Sequence, residues 1–394
     1  MIVRQFLQWV RTAEAAERAE ATSALARAYL YSGLSDDDRA AAEGAMILLL
    51  DDPSPLVRSA LADALGASSD APAAVVHALI NDQPDIATIV LERSPLLLDS
   101  DLVDSVAVGS AQTQCAVAAR ALLPRAVSAA IAEVGSAEAC LTLIENVGAD
   151  VAEFSLERIV ARFGHLAAVR ESLLAWADLP AAIRHALVVK LSETLAGFVV
   201  ARNWMEEGRA QQIAQEACEK ATVILAAESE SEDVSPLVRH LRETGQLTAG
   251  LVLRSLLSGN IDFFEQALAE LAELPAARVS ALLHDRRGAG FRAVYERAAL
   301  PASVYPAFRA AIEAMHDDHF AEPGGNTRLK RRMVERVLTS CARLPVGEVE
   351  PLMMLLRRYA TEAAREEARL FCDELVEMDH LVPANDTGRL VVAA

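Results

Sequence analysis

Aromatic side chains are scarce, making up only 5% of 394 residues of which 53% are hydrophobic. The apolar content is therefore mainly alanine, leucine and valine, a mixture that favours closely packed helices over strands rich in β-branched and aromatic residues. Cysteine is scarce as well: Cys115, Cys140, Cys218, Cys341 and Cys372 are odd in number, widely spread and never in a Cys-x-x-Cys pair. That spacing argues against a disulfide framework or a zinc knuckle and fits a reducing cytoplasm. Positive charge is in deficit, with 37 Lys and Arg against 56 Asp and Glu and a net charge of −19. Phosphate neutralisation supplies most nonspecific affinity for nucleic acid and anionic lipid, so this balance disfavours both unless a local basic patch breaks it. Long hydrophobic runs are missing too. The most apolar stretches, 44–50 and 195–201, fall far short of the roughly 20 residues that cross a bilayer, and the apolar run within Met1–Val10 is too short for a signal peptide. Neither a membrane span nor secretion is expected.

What is present has helical periodicity. A chain of 394 residues exceeds the usual single core, which leaves two domains or an elongated array. The sharpest local pattern is Asp51-Asp-Pro-Ser-Pro-Leu-Val-Arg-Ser-Ala-Leu-Ala-Asp-Ala-Leu-Gly66, a turn followed by Leu56, Val57, Leu61, Ala64 and Leu65 at helical spacing. It resembles the second-helix signature of a HEAT repeat. The resemblance implies that Asp52 caps the turn, that Arg58 reaches a neighbouring repeat, and that Val57 faces that neighbour. Polar breaks recur at Asn81, Val108, Val134 and Arg162, near a solenoid period. Thr88 stands where the next copy would carry Arg58, so a continuous Asp/Arg ladder is not expected.

Leu-Pro steps at Leu123-Pro124, Leu179-Pro180, Leu274-Pro275, Leu300-Pro301 and Leu344-Pro345 mark expected helix starts. Proline lacks the amide donor that a first helical position leaves unpaired, and its fixed φ suits that position. Segments 109–124 and 259–275 share one order of glycine, polar turn, apolar helix and Leu-Pro, so one hairpin unit is expected in both halves. The expected architecture is all-α, an α-solenoid of HEAT-like helical hairpins. It divides into an N-terminal repeat array over 1–227, an acidic linker at 228–236, a C-terminal repeat block over 237–320, a terminal helical pair over 327–380 and a loose tail at 383–394. The block beginning at Leu247, with Leu282-Leu-His-Asp285, Gly290-Phe-Arg-Ala-Val-Tyr295 and Pro306-Ala-Phe-Arg-Ala-Ala311, resembles an uncharacterised bacterial domain family common in alphaproteobacteria, over roughly 51–314. That resemblance implies a HEAT-like helical array and offers no catalytic residues to carry over.

Three constellations bear on chemistry. His284-Asp285 matches the paired ligands of metal-dependent phosphohydrolases, whose metal activates water, with His240 as the only nearby upstream partner. A helix-terminal His-Asp before a glycine-containing loop is the more ordinary reading. His316 and His319, at i and i+3 with two carboxylates between them, carry metal-ligand chemistry, against which stands a solvated acidic helix end. Arg328, Arg331, Arg332 and Arg336 fall near one face of a helix whose other face carries Leu329, Met333, Val334, Val337 and Leu338. Between Asp51 and Val160 there are 16 Asp and Glu against 5 Arg, so an acidic counterpart for that stripe exists within the chain or a second copy of it. No phosphate-binding GxxxxGK[ST], dinucleotide GxGxxG or nucleophile-elbow GxSxG occurs. The expected role is a non-enzymatic scaffold or adaptor without cofactor or metal, binding a protein partner or a second copy of itself, with nucleic acid disfavoured. The alternatives are a regulator that binds nucleic acid or a phosphorylated ligand through the arginine stripe, and a hydrolase-like metal site at His284 and Asp285.

Overall fold

The computed structural model describes residues 6, 8–229, 231–284, 289–316, 327–343 and 350–381. Pro345, the break at 321–326 and the tail at 383–394 lie outside the described residues. Regular structure among the described residues is helical, joined by one isolated parallel bridge between Leu123 and Ala149. The chain divides into two compact units, Met1–Leu179 and Pro180–Ala394, at one of the Leu-Pro steps.

In the first unit alternate helices touch. One row is α1 (Ala15–Tyr31), α3 (Pro55–Leu65), α5 (Pro84–Arg93), α7 (Ala111–Ala118), α9 (Ala137–Glu145) and α11 (Ala167–Leu174), each packed on the next. In a second row α2 (Asp36–Leu49) packs on α4 (Ala73–Leu79), and α6 (Asp99–Val108) on α8 (Arg125–Val134) and then α10 (Glu153–Phe163). The buried faces are aliphatic, as the composition requires: Val57, Leu61 and Leu65 on α3, Ile86 and Val90 on α5, Val127 and Ile131 on α8. The Gly-Ser breaks after α6 and α8 start the following helices, because Ser110 Oγ accepts from Thr113 N at 3.3 Å and Ser136 Oγ from Ala139 N at 3.1 Å.

Neighbours two helices apart are clasped by polar side chains. Arg18 on α1 pairs with both Asp52 oxygens at 2.7 and 2.8 Å, while Asp52 Oδ1 accepts from Ser54 N at 2.8 Å. Arg58 on α3 pairs with Asp82 at 2.6 and 3.1 Å and donates to the Asp52 carbonyl at 2.6 Å. In this row the ion-pair series stops at Thr88, whose hydroxyl turns back onto the Asp85 carbonyl, while exposed pairs reappear in the second row as Arg125–Asp150 and Arg158–Glu133. A different clasp then takes over. Arg120 donates to the carbonyls of Leu91 and Ser94 at the end of α5, and Arg162 to those of Ala132 and Gly135 at the end of α8, both at 2.7 Å. Asn146 donates to the carbonyls of Ala118 and Arg120, and Trp176 Nε1 to that of Ile144.

The second unit opens with two long helices, α12 (Ala181–Ala201) and α13 (Glu207–Glu228), packed on each other. They are followed by α14 (Ser231–Glu243), α15 (Ala249–Ser258), α16 (Ile261–Ala272), α17 (Ala276–Leu283), α18 (Ala289–Arg297), α19 (Tyr305–Met315), α20 (Arg331–Cys341) and α21 (Glu350–Leu381). Here the aromatic residues are spent: Phe264 stacks on Phe308 at 6.0 Å, Tyr295 meets Phe308 at 5.4 Å, and Tyr359 of α21 is fully buried.

Several expectations change. The units divide at Leu179–Pro180 rather than in the acidic segment 228–236, most of which starts α14. Val234, Leu237, Val238 and Leu241 of that helix are core residues, and helical spacing of these four outweighs the acidic run before them. The terminal pair over 327–380 belongs to the same core as 237–320, through Leu329, Val334, Val337 and Leu356. Pro124, Pro180 and Pro275 sit at the N-cap with extended ψ, one position earlier than expected, and Pro301 opens a turn ahead of α19. A fixed φ near −65° serves an extended N-cap as well as a first helical turn. The glycines of the two compared segments also differ: Gly259 has φ +81° and closes α15 in the left-handed region, whereas Gly109 is extended.

Val57 is fully buried between α3 and its neighbours. Val57→Asp places an unpaired carboxylate there and should lower unfolding free energy by roughly 3 kcal/mol or more in urea titration. Unchanged stability would show that this face of α3 is not packed.

Candidate functional site

The arginine stripe is only partly a helical face. α20 begins at Arg331, because Lys330 is its N-cap and donates its amide to the Leu257 carbonyl at 3.1 Å, tying the preceding residues to the end of α15. Arg328 therefore stands before the helix. Met333, Val334 and Val337 are buried and Arg332 and Arg336 exposed, while Arg331 is held by Glu335 at 2.8 Å and by Glu367 of α21 at 2.7 Å. The acidic counterpart that Arg331 meets thus comes from its own unit.

The histidine candidates are rearranged. His284 and His316, from separate motifs, lie with ring centroids 6.3 Å apart, and His284 Nδ1 approaches the Ser280 carbonyl at 2.9 Å. Asp285 and His319 lie outside the described residues. His240, the upstream partner considered for His284, packs instead edge-on to His185 at 5.5 Å. Among the described residues no three His, Cys, Asp or Glu side chains are grouped to hold a metal ion.

A cavity of about 530 Å³ lies in the second unit between α12, α13 and the turn before α15, walled by Val189, Ala214 and Leu251. His185 is buried in its lining, and neither ring nitrogen has a hydrogen-bond partner of ordinary geometry. Burial, and then the His240 ring, push its pKa down to about 4, with Gln246 opposing. On the same lining, burial raises Glu219 against the pull of Arg254, and Thr248 Oγ1 donates to its Oε1 at 3.2 Å. Burial also raises Cys218 despite a hydrogen bond with Ser192, and raises Cys140 to about 11, so these thiols are held as thiols rather than nucleophilic thiolates. The cavity offers a neutral imidazole and apolar walls, an arrangement suited to packing more than to acid–base chemistry.

The first unit carries a more regular feature. The loops that follow α5, α7 and α9 lie side by side: Arg120 bonds the first to the second, and Asn146 bonds the second to the third. Leu123 N donates to the Gly148 carbonyl at 3.1 Å and Asp150 N to the Leu123 carbonyl at 3.0 Å, closing the parallel bridge. A Cβ on Gly148 would collide with the Ala121 carbonyl, so close approach of these loops requires glycine there. Each loop presents one apolar side chain to solvent: Leu98 is 66% exposed, Leu122 80% and Val147 fully. Their spacing, 24 and then 25 residues, is close to the 27- and 26-residue steps between α5, α7 and α9, whereas their exposure reverses what a core position would show.

Residues 86–347 match the model of a bacterial family described as an uncharacterised protein conserved in bacteria (DUF2336). The match begins after Asp52, Val57 and Arg58 and continues beyond α20, so it starts later and ends later than the resemblance read from 51–314. No curated protein and no solved structure matches the chain.

The lowered pKa of His185 sets a pH dependence. An unfolded chain protonates this ring near pH 6.5, while the folded chain withholds the proton until about 4, so stability is full above that interval and falls as pH drops through it. Urea titrations at pH 7 and pH 5 should show His185→Leu losing about 1 to 2 kcal/mol less than the parent chain over that step. Equal losses in the two proteins would mean that this ring is not buried neutral.

Proposed function

We propose that this chain, which belongs to the bacterial DUF2336 family, is a non-enzymatic cytoplasmic adaptor whose first unit is a helical solenoid that docks a protein partner on one rim. The observation that carries the reading is the row of Leu98, Leu122 and Val147, exposed at successive repeats on loops bonded to one another. Helices stacked about 10 Å apart would set such a row across roughly 20 Å, a span that a partner's helix or extended segment matches. An apolar side chain that is nearly fully exposed gains nothing for folding, and rigid presentation of three in register lowers the entropy lost when a partner covers them.

Alternate-helix packing supports the solenoid reading, because each helix pair leaves an apolar face that the next pair covers. HEAT-like character is best supported at the start of the chain. There α1 and α3 begin 40 residues apart, at 15 and 55, and the Arg18–Asp52 and Arg58–Asp82 pairs join successive steps. From α5 to α9 the starts at 84, 111 and 137 step by only 27 and 26 residues, well below the 40 to 47 of HEAT repeats. The regulator reading through α20 is weakened by the Glu335 and Glu367 partners of Arg331.

Leu122→Asp with Val147→Asp should leave the melting temperature within about 2 °C, since both positions are exposed. Proteins captured by the parent chain from a bacterial lysate, and identified by mass spectrometry, should be lost by this double variant. Undiminished capture by a folded variant would remove the rim from the interface.

A further inference from the structure

The second unit contains a polar groove of about 540 Å³ between α13 and α21, and its charge runs against that of the chain. Each of its carboxylates holds a cation, although Glu366 Oε2 is buried without a hydrogen-bond partner of its own. Glu362 holds Arg254 with two bonds at 2.8 and 2.9 Å, and Arg254 lies buried over the Tyr359 ring at 4.6 Å, whose hydroxyl donates to the Gly250 carbonyl. Glu366 holds Lys220, and Glu216 holds Arg358 at 2.7 Å. These three pairs fix α21 against α13 and α15 and cancel one another's charge. Four guanidinium groups remain on the lining, Arg209 from α13 and Arg357, Arg365 and Arg369 from α21, each exposed and without a carboxylate partner among the described residues. Arg358 Nε and Arg254 Nε are buried on the same lining and also lack an acceptor.

Four uncompensated cations around one groove are costly to assemble. Arg365 and Arg369 stand at i and i+4 on one helical face, where like charges oppose the helix. In a chain of net −19 the ordinary arrangement would place glutamates there. We infer that this groove is a binding site for a compact polyphosphate, a ligand with two or more adjacent phosphate groups. Guanidinium forks match phosphate oxygens two at a time, and a ligand of three or four negative charges in a small volume neutralises all four arginines together. The groove's volume suits a small molecule. A nucleic-acid duplex carries its charge over a far greater length, and the net charge of −19 opposes its approach. The site goes beyond the adaptor reading and does not depend on it: a ligand here would act on the second unit while the rim belongs to the first.

The test is calorimetric titration of the full chain at low salt with inorganic tripolyphosphate, a nucleoside triphosphate, orthophosphate and a short DNA duplex. Tripolyphosphate should bind, orthophosphate far more weakly, and affinity should fall as salt rises. Arg365→Gln with Arg369→Gln should weaken tripolyphosphate by at least about tenfold, with the helical circular dichroism unchanged because both side chains are exposed. Arg125→Gln, an exposed arginine of the first unit, should bind as the parent does. If the double variant does not fold, Arg357→Gln alone serves, with a smaller loss in the same direction. A nucleoside triphosphate that binds much more tightly than tripolyphosphate would identify the source as a nucleotide, and equal binding would identify the phosphate chain itself. No binding of tripolyphosphate, an affinity unchanged by the arginine variants, or tighter binding of the duplex would each overturn the proposal.

Discussion

A helix ends with four carbonyl groups that no amide of its own can reach, and the first unit is made of helices so short that these ends are a large share of its backbone. Helices α4 to α11 run from 7 to 11 residues, and the ends of α5, α7, α8 and α9 are met by side chains from further along the chain. The unit holds together because side chains from two helices further on reach back to those carbonyls. Arg120 and Arg162 do so as cations without a carboxylate ion-pair partner among the described residues, and the negative end of the helix dipole stands in for the counterion. Burial lowers the Arg120 pKa from its ordinary value, with Asp99 opposing only partly. Asn146 and Trp176 do the same task without charge.

These clasps connect the fold to the proposed docking rim. The bonds that satisfy the end of α5 also bind its loop to the loop after α7, and those from Asn146 bind that loop to the next. A rim fixed in this way holds exposed apolar side chains in register instead of letting them fold back into the core. In the second unit Arg297 makes a similar clasp, to the Ala272 carbonyl at the end of α16, and a second device is added. Ion pairs between helices, Arg254 with Glu362 and Arg358 with Glu216, fix α21 in place, and the carboxylates they consume leave a basic groove.

Much of this was legible in the residues. The all-helical class followed from sparse aromatics and helical spacing, and the Gly-Ser breaks at 109–110 and 135–136 are turns whose serines cap the next helices. The Asp52 and Arg58 turn stood out by its helical spacing and its resemblance to a HEAT-repeat signature, whereas their partners Arg18 and Asp82 come together only in the fold. The carbonyl clasps did not stand out, since Arg120 and Arg162 have backbone partners and every residue supplies a carbonyl. The segment at 228–236 misled because acidic composition masked the four apolar positions that begin at Val234. Among the arginines, the stripe at 328–336 drew notice by density. The groove depends on Arg357, Arg365 and Arg369, spaced 8 and 4 apart on α21, together with Arg209 from a distant helix, and only folding brings them together.

The dependence of the first unit on its carbonyl clasps is tested most directly by Arg120→Met, which keeps an apolar stem and removes both donors to Leu91 and Ser94. Urea unfolding should show a loss of about 2 to 3 kcal/mol with an unchanged denaturant slope, the cost of leaving two packed carbonyls without partners. A loss below about 0.5 kcal/mol, the range of an ordinary surface substitution, would contradict the account and mean that water or backbone rearrangement satisfies these helix ends.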